Sequence, residues 1–318
     1  MASFFAVSCN NDNDDVFIPE ELITPPNSGV FKNHKVNSRN DLTQTFNFSI
    51  NSGTTEISFI SEKGVEVRIQ TGCMTIGGVP VSGDVSVEFI ELYNRGNLLT
   101  TGINTMGRHP NGDLETLVTG GAFMIEAYKD GVALDQSTCF TMKVPTSNTG
   151  GVDYDMILWK GEFNEDDNLV WDDINEGTGG QAGIEITNEN YYTFLSQFGW
   201  TNIDRWYSDP RPKTTLYVSA PEGYNPGNSM VLLTYDGEDH SIARLDKYDE
   251  DLKLFSEHYG MIPIGLECHL IFVSEHEGDW VYAVKSITIA ADETYSFNHS
   301  ELDITSESNL TNIINGLP

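Results

Sequence analysis

Ser82-Gly83-Asp84-Val85-Ser86-Val87-Glu88-Phe89 decides the fold. A turn signal opens the stretch, and Val85, Val87 and Phe89 then alternate with Ser86 and Glu88. Period two gives a strand one apolar and one wet face, which an antiparallel sheet over a core requires. The pattern recurs on both sides. Phe46, Phe48 and Ile50 alternate with Thr45, Asn47 and Ser49, and Val65, Val67 and Ile69 with Glu66, Arg68 and Gln70. Phe140, Met142 and Val144 alternate with Thr141 and Lys143. Asn51-Ser52-Gly53, Lys63-Gly64, Gly77-Gly78, Asn111-Gly112 and Lys129-Asp130-Gly131 punctuate the runs. Short strands at this spacing predict a β-sandwich over residues 41–148.

The rest of the chain is read outward from that sandwich. Residues 149–183 form a bridging segment with strands near 156–159 and 169–171, closing in the flexible run Gly177-Thr178-Gly179-Gly180-Gln181-Ala182-Gly183. Residues 184–300 make a second, β-rich α+β domain with short helices. One helix is expected over 188–198, where Tyr191, Phe194, Leu195 and Phe198 recur at helical spacing, and another over 248–259. Strands are expected at 215–219, 229–235, 242–245, 266–273 and 281–289. The run 266–273 is apolar enough to be central. A tail, 301–318, holds a weak helix over 305–315. The fold class is therefore mainly β: an N-terminal sandwich followed by a second β-rich α+β domain.

With 318 residues and 39% hydrophobic content, the chain can fill two cores. Its net charge of −31, from 48 acidic and 17 basic residues, argues against a nucleic-acid partner, which needs clustered Lys and Arg. No segment approaches the roughly 20 apolar residues of a membrane span. An anchor is instead expected at Cys9. Phe4-Phe5-Ala6-Val7-Ser8-Cys9 reads as a lipoprotein signal remnant, 1–9, whose apolar run is shorter than the roughly 7–15 residues of a full export signal. Cleavage before Cys9 would place a lipidated thiol at the mature start. Several acyl chains would then hold the protein on a bilayer. Residues 10–40, with Asp12, Asp14, Asp15, Pro19, Pro25 and Pro26, read as a flexible tether. Of the other cysteines, Cys73 and Cys139 are a candidate disulfide in an oxidising compartment, and Cys268 is a buried thiol.

Catalytic signatures are missing from the sequence: it has no G-x-S-x-G elbow, H-E-x-x-H helix or P-loop. His276-Glu277 falls in a hairpin turn, and His240, His258 and His269 show no zinc register. Calcium is the candidate cofactor. Asn164, Asp166, Asp167, Asn168, Asp172 and Asp173 gather hard oxygens in a short span, the alternative being solvated surface acids. Trp200, Asn202, Asp204, Arg205 and Trp206 are a candidate ligand rim, the alternative being an aromatic plug between elements.

Several segments carry a resemblance. They are Val81-Ser82-Gly83-Asp84-Val85-Ser86-Val87-Glu88-Phe89-Ile90-Glu91, Gly120-Gly121-Ala122-Phe123, Ala127-Tyr128-Lys129-Asp130-Gly131, Gly199-Trp200-Thr201-Asn202-Ile203-Asp204-Arg205 and Pro221-Glu222-Gly223-Tyr224-Asn225. Together they resemble surface-exposed outer-membrane lipoproteins of Bacteroidota, whose first domain is similar to a carboxypeptidase-regulatory or ZU5-type β-sandwich. The resemblance implies a lipid-anchored protein facing the cell exterior, with Asp12, Asp14 and Asp15 similar to a surface-export signal. It supplies no catalytic residues. The function expected is a non-enzymatic binding or accessory role, with an outer-membrane protein complex or a glycan as partner. A glycan-acting hydrolase and a calcium-dependent adhesin are the alternatives.

Overall fold

The computed structural model describes residues 23–174, 183–257 and 260–318. The chain is mainly β, with three α-helices among the described residues. Strands β1 (Gln44–Ile50), β2 (Glu56–Ile60) and β3 (Glu66–Gln70) open two sheets that face each other. The smaller sheet runs Ile184–Thr187, Asn190–Gln197, Ser137–Pro145, β3, β2, antiparallel throughout. The larger runs β1, Gly83–Leu92, Leu114–Lys129, Gly199–Trp206, Ile157–Phe163, Leu169–Asp173, Met106–Arg108. Its last strand also pairs back onto Leu114–Lys129, so five strands close a ring. Val85, Val87 and Phe89 point inward to meet Phe59, Val67, Ile69, Phe140 and Met142 in one core, as their alternation requires.

The bend that closes the ring sits at Gly120 and Gly121, which together face Ile203 across a register shift. A Cβ on Gly120 would stand 2.9 Å from the Ile203 carbonyl oxygen, and one on Gly121, at φ 133°, would stand 2.6 Å from the Phe123 ring. Such a bulge re-aims the strand and strengthens its local twist.

The far face of the large sheet is also covered. Helices α1 (Ser28–Asp41), α2 (Arg95–Thr101) and α3 (Glu307–Asn315) lie against it, together with a third sheet. That sheet runs Ala243–Arg244, Ser229–Tyr235, Glu267–His276, Asp279–Thr288, Asp303–Thr305. Leu92, Leu117, Trp159 and Trp171 share one core with Met230, Leu232, Ile271, Trp280, Leu310 and Ile314. A third core lies beyond, between this sheet and four short strands including Tyr217–Ser219 and Leu254–Ser256. As expected, Glu267–His276 is the central strand.

Several boundaries need correction. The segment 149–183 is no mere bridge, because Ile157–Phe163 and Leu169–Asp173 are strands inside the large sheet. Residues 184–206 likewise complete the sandwich and do not open a second domain. The expected helix over 188–198 is the strand Asn190–Gln197. Asn188 at φ 50° and Glu189 at φ 59° form a tight hairpin turn before it, of the kind that matches strand twist. The expected helix over 248–259 is the strand pair Lys247–Asp249 and Leu254–Ser256; its last two residues lie outside the described ones. Asp249 Oδ1 accepts the N–H groups of Asp251 and Leu252, a side-chain turn that competes with helix formation. The tether yields to α1 at Ser28, capped by the Asn27 side chain accepting from Val30 N–H. The tail is a docked helix. Buried Arg95 donates to the Leu317 and Pro318 carbonyls, and a Cβ on Gly96 would meet the Thr311 carbonyl oxygen at 2.6 Å.

Candidate functional site

The strand Asn190–Gln197 divides its residues cleanly. Tyr191, Thr193 and Leu195 are buried under the sandwich core, while Tyr192, Phe194 and Ser196 face outward. Phe194 is 58% exposed although it sits on a strand paired on both sides. Cross-strand register sets Phe194 beside Thr141, Thr141 beside Arg68, and Arg68 beside Ser58. Neighbouring residues on this face are ordered by polar contacts. Arg68 Nε donates to Glu66 Oε1 at 2.8 Å, and Gln70 Nε2 donates to Glu56 Oε2 at 2.7 Å.

Two hollows flank Phe194. One, of about 340 Å³, is lined by Arg68, Gln70, Thr141, Phe194 and Ser196 among others. The other, of about 280 Å³, lies between this strand and the large sheet, where Lys160, Asp172 and Asp173 join Phe194 and Ser196. Phe194 is thus a ridge between two polar-rimmed depressions. A phenyl face accepts C–H groups, while Arg, Gln, Thr and Ser side chains at its margin supply hydrogen bonds. Cys139 at the edge of the first hollow is bonded to Cys73 with Cα atoms 5.7 Å apart, which fixes that end of the sheet.

The sequence-derived rim lies elsewhere, on a strand whose polar centre is buried and whose Trp200, Arg205 and Trp206 are half-buried. Asn202 and Asp204 are fully buried on Gly199–Trp206, within the large sheet. Thr119 Oγ1 donates to Asn202 Oδ1 at 2.9 Å, and Asn202 Nδ2 donates to Asp204 Oδ2 at 2.5 Å. Burial holds the Asp204 carboxyl well above the usual carboxylate range, which the hydrogen bonds from Thr119, Gly120 and Asn202 oppose only in part. Trp206 stacks on His109 at 4.0 Å and meets Trp159 edge-on at 4.9 Å, and Trp200 lies edge-on to Trp171. Arg205 Nε is paired with Asp153 Oδ2 at 2.6 Å. Trp200 and Trp206 are half-buried and pack against the core that the large sheet shares with the helices and the third sheet.

The candidate calcium residues are spread over a hairpin. Asn164 Oδ1 accepts from the N–H groups of Asp166 and Asn168, which closes the turn. Asp167, at φ 55°, reaches α1, where its carboxylate meets Lys35 Nζ at 3.0 Å and Lys32 Nζ at 3.3 Å. Burial lowers the Lys35 ammonium to about 8, with Arg244 adding to the effect and Asp167 opposing it. Buried Asn168 accepts from Asn104 Nδ2 at 2.7 Å. Asp172 faces Arg108 at 3.6 Å, while Asp173 lines the second hollow. Among the described residues, no three His, Cys, Asp or Glu side chains converge as metal ligands.

Other residues singled out in the sequence have ordinary partners. His240 Nδ1 lies 2.8 Å from the Tyr93 carbonyl oxygen and His269 Nδ1 2.8 Å from Asp236 Oδ1. Cys268 is buried, and burial pushes its thiol up to about 12. His276 closes a hairpin against Asp279, as its turn residues require. Cys9, Asp12, Asp14, Asp15, the run 177–182 and His258 lie outside the described residues. Among the described residues, no helix is long and apolar enough to cross a membrane.

Phe194 was missed as a surface residue because its spacing to Tyr191 and Phe198 imitates a helix. The signal that reveals it is Asn188-Glu189 standing between Ile184/Ile186 and Tyr191/Thr193/Leu195, two alternating runs joined by a turn. No protein-family model matches the chain, and no curated protein matches it.

Proposed function

We propose that this chain is a non-enzymatic binding protein, held by lipid on Cys9 at the exterior of an outer membrane, and that it takes a saccharide on the face around Phe194. One observation carries the binding site: a phenyl ring 58% exposed on an ordered sheet face, between two hollows edged by hydrogen-bonding side chains. A pyranose ring matches that chemistry, with C–H groups on one face and hydroxyls around its edge. An antiparallel sheet holds the site rigid, so little ordering opposes binding. The likeness to surface-exposed Bacteroidota lipoproteins supports the location, and an acidic segment after Cys9 agrees with it.

Two experiments test the two halves separately. Full-length chain with Cys9→Ser, which carries no lipid, is applied to a glycan panel beside its Phe194→Ala variant. Binding that falls at least about tenfold in the variant, with unchanged thermal unfolding, supports the site. Equal binding by both chains, or none on the panel, overturns it. Mass spectrometry of the mature N-terminus from native cells tests the anchor, and an unacylated Cys9 overturns the location.

A further inference from the structure

Edge strands present unpaired backbone groups, and proteins usually blunt them with charge, proline, bulges or brevity. Most edges here follow that rule. β2 carries Glu56, Ile184–Thr187 carries Glu185, Lys247–Asp249 and Asp303–Thr305 are charged, Ala243–Arg244 has two residues, and Thr294–Ser296 has three. β1 does not follow it. Its residues Gln44-Thr45-Phe46-Asn47-Phe48-Ser49-Ile50 hold no charge and no proline, and they pair with Gly83–Leu92 without a register shift. Seven residues long, it ends the large sheet. In a chain of net charge −31, this uncharged edge is a place where two copies can meet without close like-charge contact.

The order of residues on β1 says which strand fits. Asn47 is the centre of a near-palindrome, with Phe46 and Phe48 on either side, then Thr45 and Ser49. Turned over by a two-fold axis at Asn47, the strand sets Thr45 opposite Ser49 and Phe46 opposite Phe48 of the other copy. Hydroxyl–hydroxyl and aromatic–aromatic pairs are the favourable cross-strand combinations. Phe46 and Phe48 are only half-buried, although Phe46 stacks on Phe59 at 4.0 Å, so an added strand would complete their cover.

We propose that two copies of this chain pair antiparallel along β1, about a two-fold axis at Asn47, making one sheet continuous across the dimer. Such an interface is self-complementary, as closed two-fold symmetry demands. A single strand pair is a small contact and gives a weak dimer in dilute solution. Confinement on a membrane would raise the effective concentration, but the pairing does not depend on the saccharide site or on the lipid.

The test uses the full chain with Cys9→Ser, so that no lipid contributes. Sedimentation across concentrations up to about 0.5 mM should show monomer–dimer exchange. Asn47→Lys places two ammonium groups opposite each other at the axis and should raise the dimer Kd at least about tenfold, with unchanged thermal unfolding. Asn47→Cys provides a geometric check. Directly opposed residues of antiparallel strands have Cα atoms about 4.5–5.5 Å apart, within disulfide range. Oxidation should therefore link Asn47→Cys copies far faster than Ser52→Cys copies in the adjoining turn. A chain that stays monomeric throughout, a dimer indifferent to Asn47→Lys, or equal linking rates at positions 47 and 52 each overturn the proposal.

Discussion

Asn190–Gln197 and Gly199–Trp206 are consecutive strands, each with two large aromatics on one face, yet only the second strand's aromatics pack against a further core. The first lies in the small sheet and turns Phe194 to solvent, with Tyr192 half-buried beside it. The second lies in the large sheet, and its half-buried Trp200 and Trp206 pack against the core shared with the helices and another sheet. Composition does not separate them. What separates them is whether a further layer lies above. The buried centre of the second strand pairs polar groups internally, through the Thr119–Asn202–Asp204 chain, whereas the first strand is free to offer its outward side chains to a ligand.

The comparison breaks most readily at Trp159. It is fully buried beside Gly199–Trp206, its Nε1 donates to the Asp204 carbonyl at 3.0 Å, and Trp206 meets it edge-on. Trp159→Ala should cost about 3–5 kcal/mol in denaturant unfolding, the range for emptying a large buried aromatic site. A loss under about 1 kcal/mol would mean that the covering layer does not press on the large sheet. The small sheet is secured differently. Cys73 and Cys139 close a loop with a sequence separation of 66. Replacing both by Ala should cost about 2–4 kcal/mol, mainly through a freer unfolded chain. Chemical reduction of the wild type should reproduce that loss.

The same contrast explains what the sequence disclosed. Strands with one wet face were legible, because Val85, Val87 and Phe89 alternate as their burial does. Gly199–Trp206 was not, since its buried centre carries the polar Asn202 and Asp204 and mimics a binding rim. Asn202 and Asp204 looked exposed by residue type, and only the Thr119 contact shows how they are accommodated. α1 was hidden for the converse reason. It buries Lys35 and Ser38 beside Phe31, so its inward face reads as polar. At 188–198 the four-residue spacing of Tyr191 and Leu195 suits a helix and a strand alike, and the turn at Asn188-Glu189 decides between them. The candidate site was therefore the least legible part: Phe194 becomes a surface residue only once the hairpin is recognised.

Phe194→Ala sharpens the comparison from the exposed side. Truncating a surface side chain should change stability by no more than about 0.5 kcal/mol. The variant's tenfold loss of saccharide binding would correspond to about 1.4 kcal/mol. A stability loss like that of Trp159→Ala would show that Phe194 is structural after all and would merge the two strands into one class.

Asp204 gives the finest test, because its effect is confined to a pH window. Burial raises its folded-state pKa above the ordinary carboxylate value, so the native state holds a proton that the unfolded chain releases. Between those two pKa values the unfolded state binds fewer protons, and stability must fall as pH rises. Below the ordinary carboxylate range both states are protonated and the effect vanishes. Asp204→Asn keeps a neutral side chain of the same shape and a carbonyl oxygen that can accept from Asn202 Nδ2. The variant should therefore match the wild type in acid and become progressively more stable than it as pH rises to 8, read as a widening gap in Tm. A constant gap would mean that Asp204 is not the proton-holding group. A gap widening toward acid would mean that the carboxylate is charged in the fold, and that the covered face of the large sheet admits the solvent its neighbour enjoys.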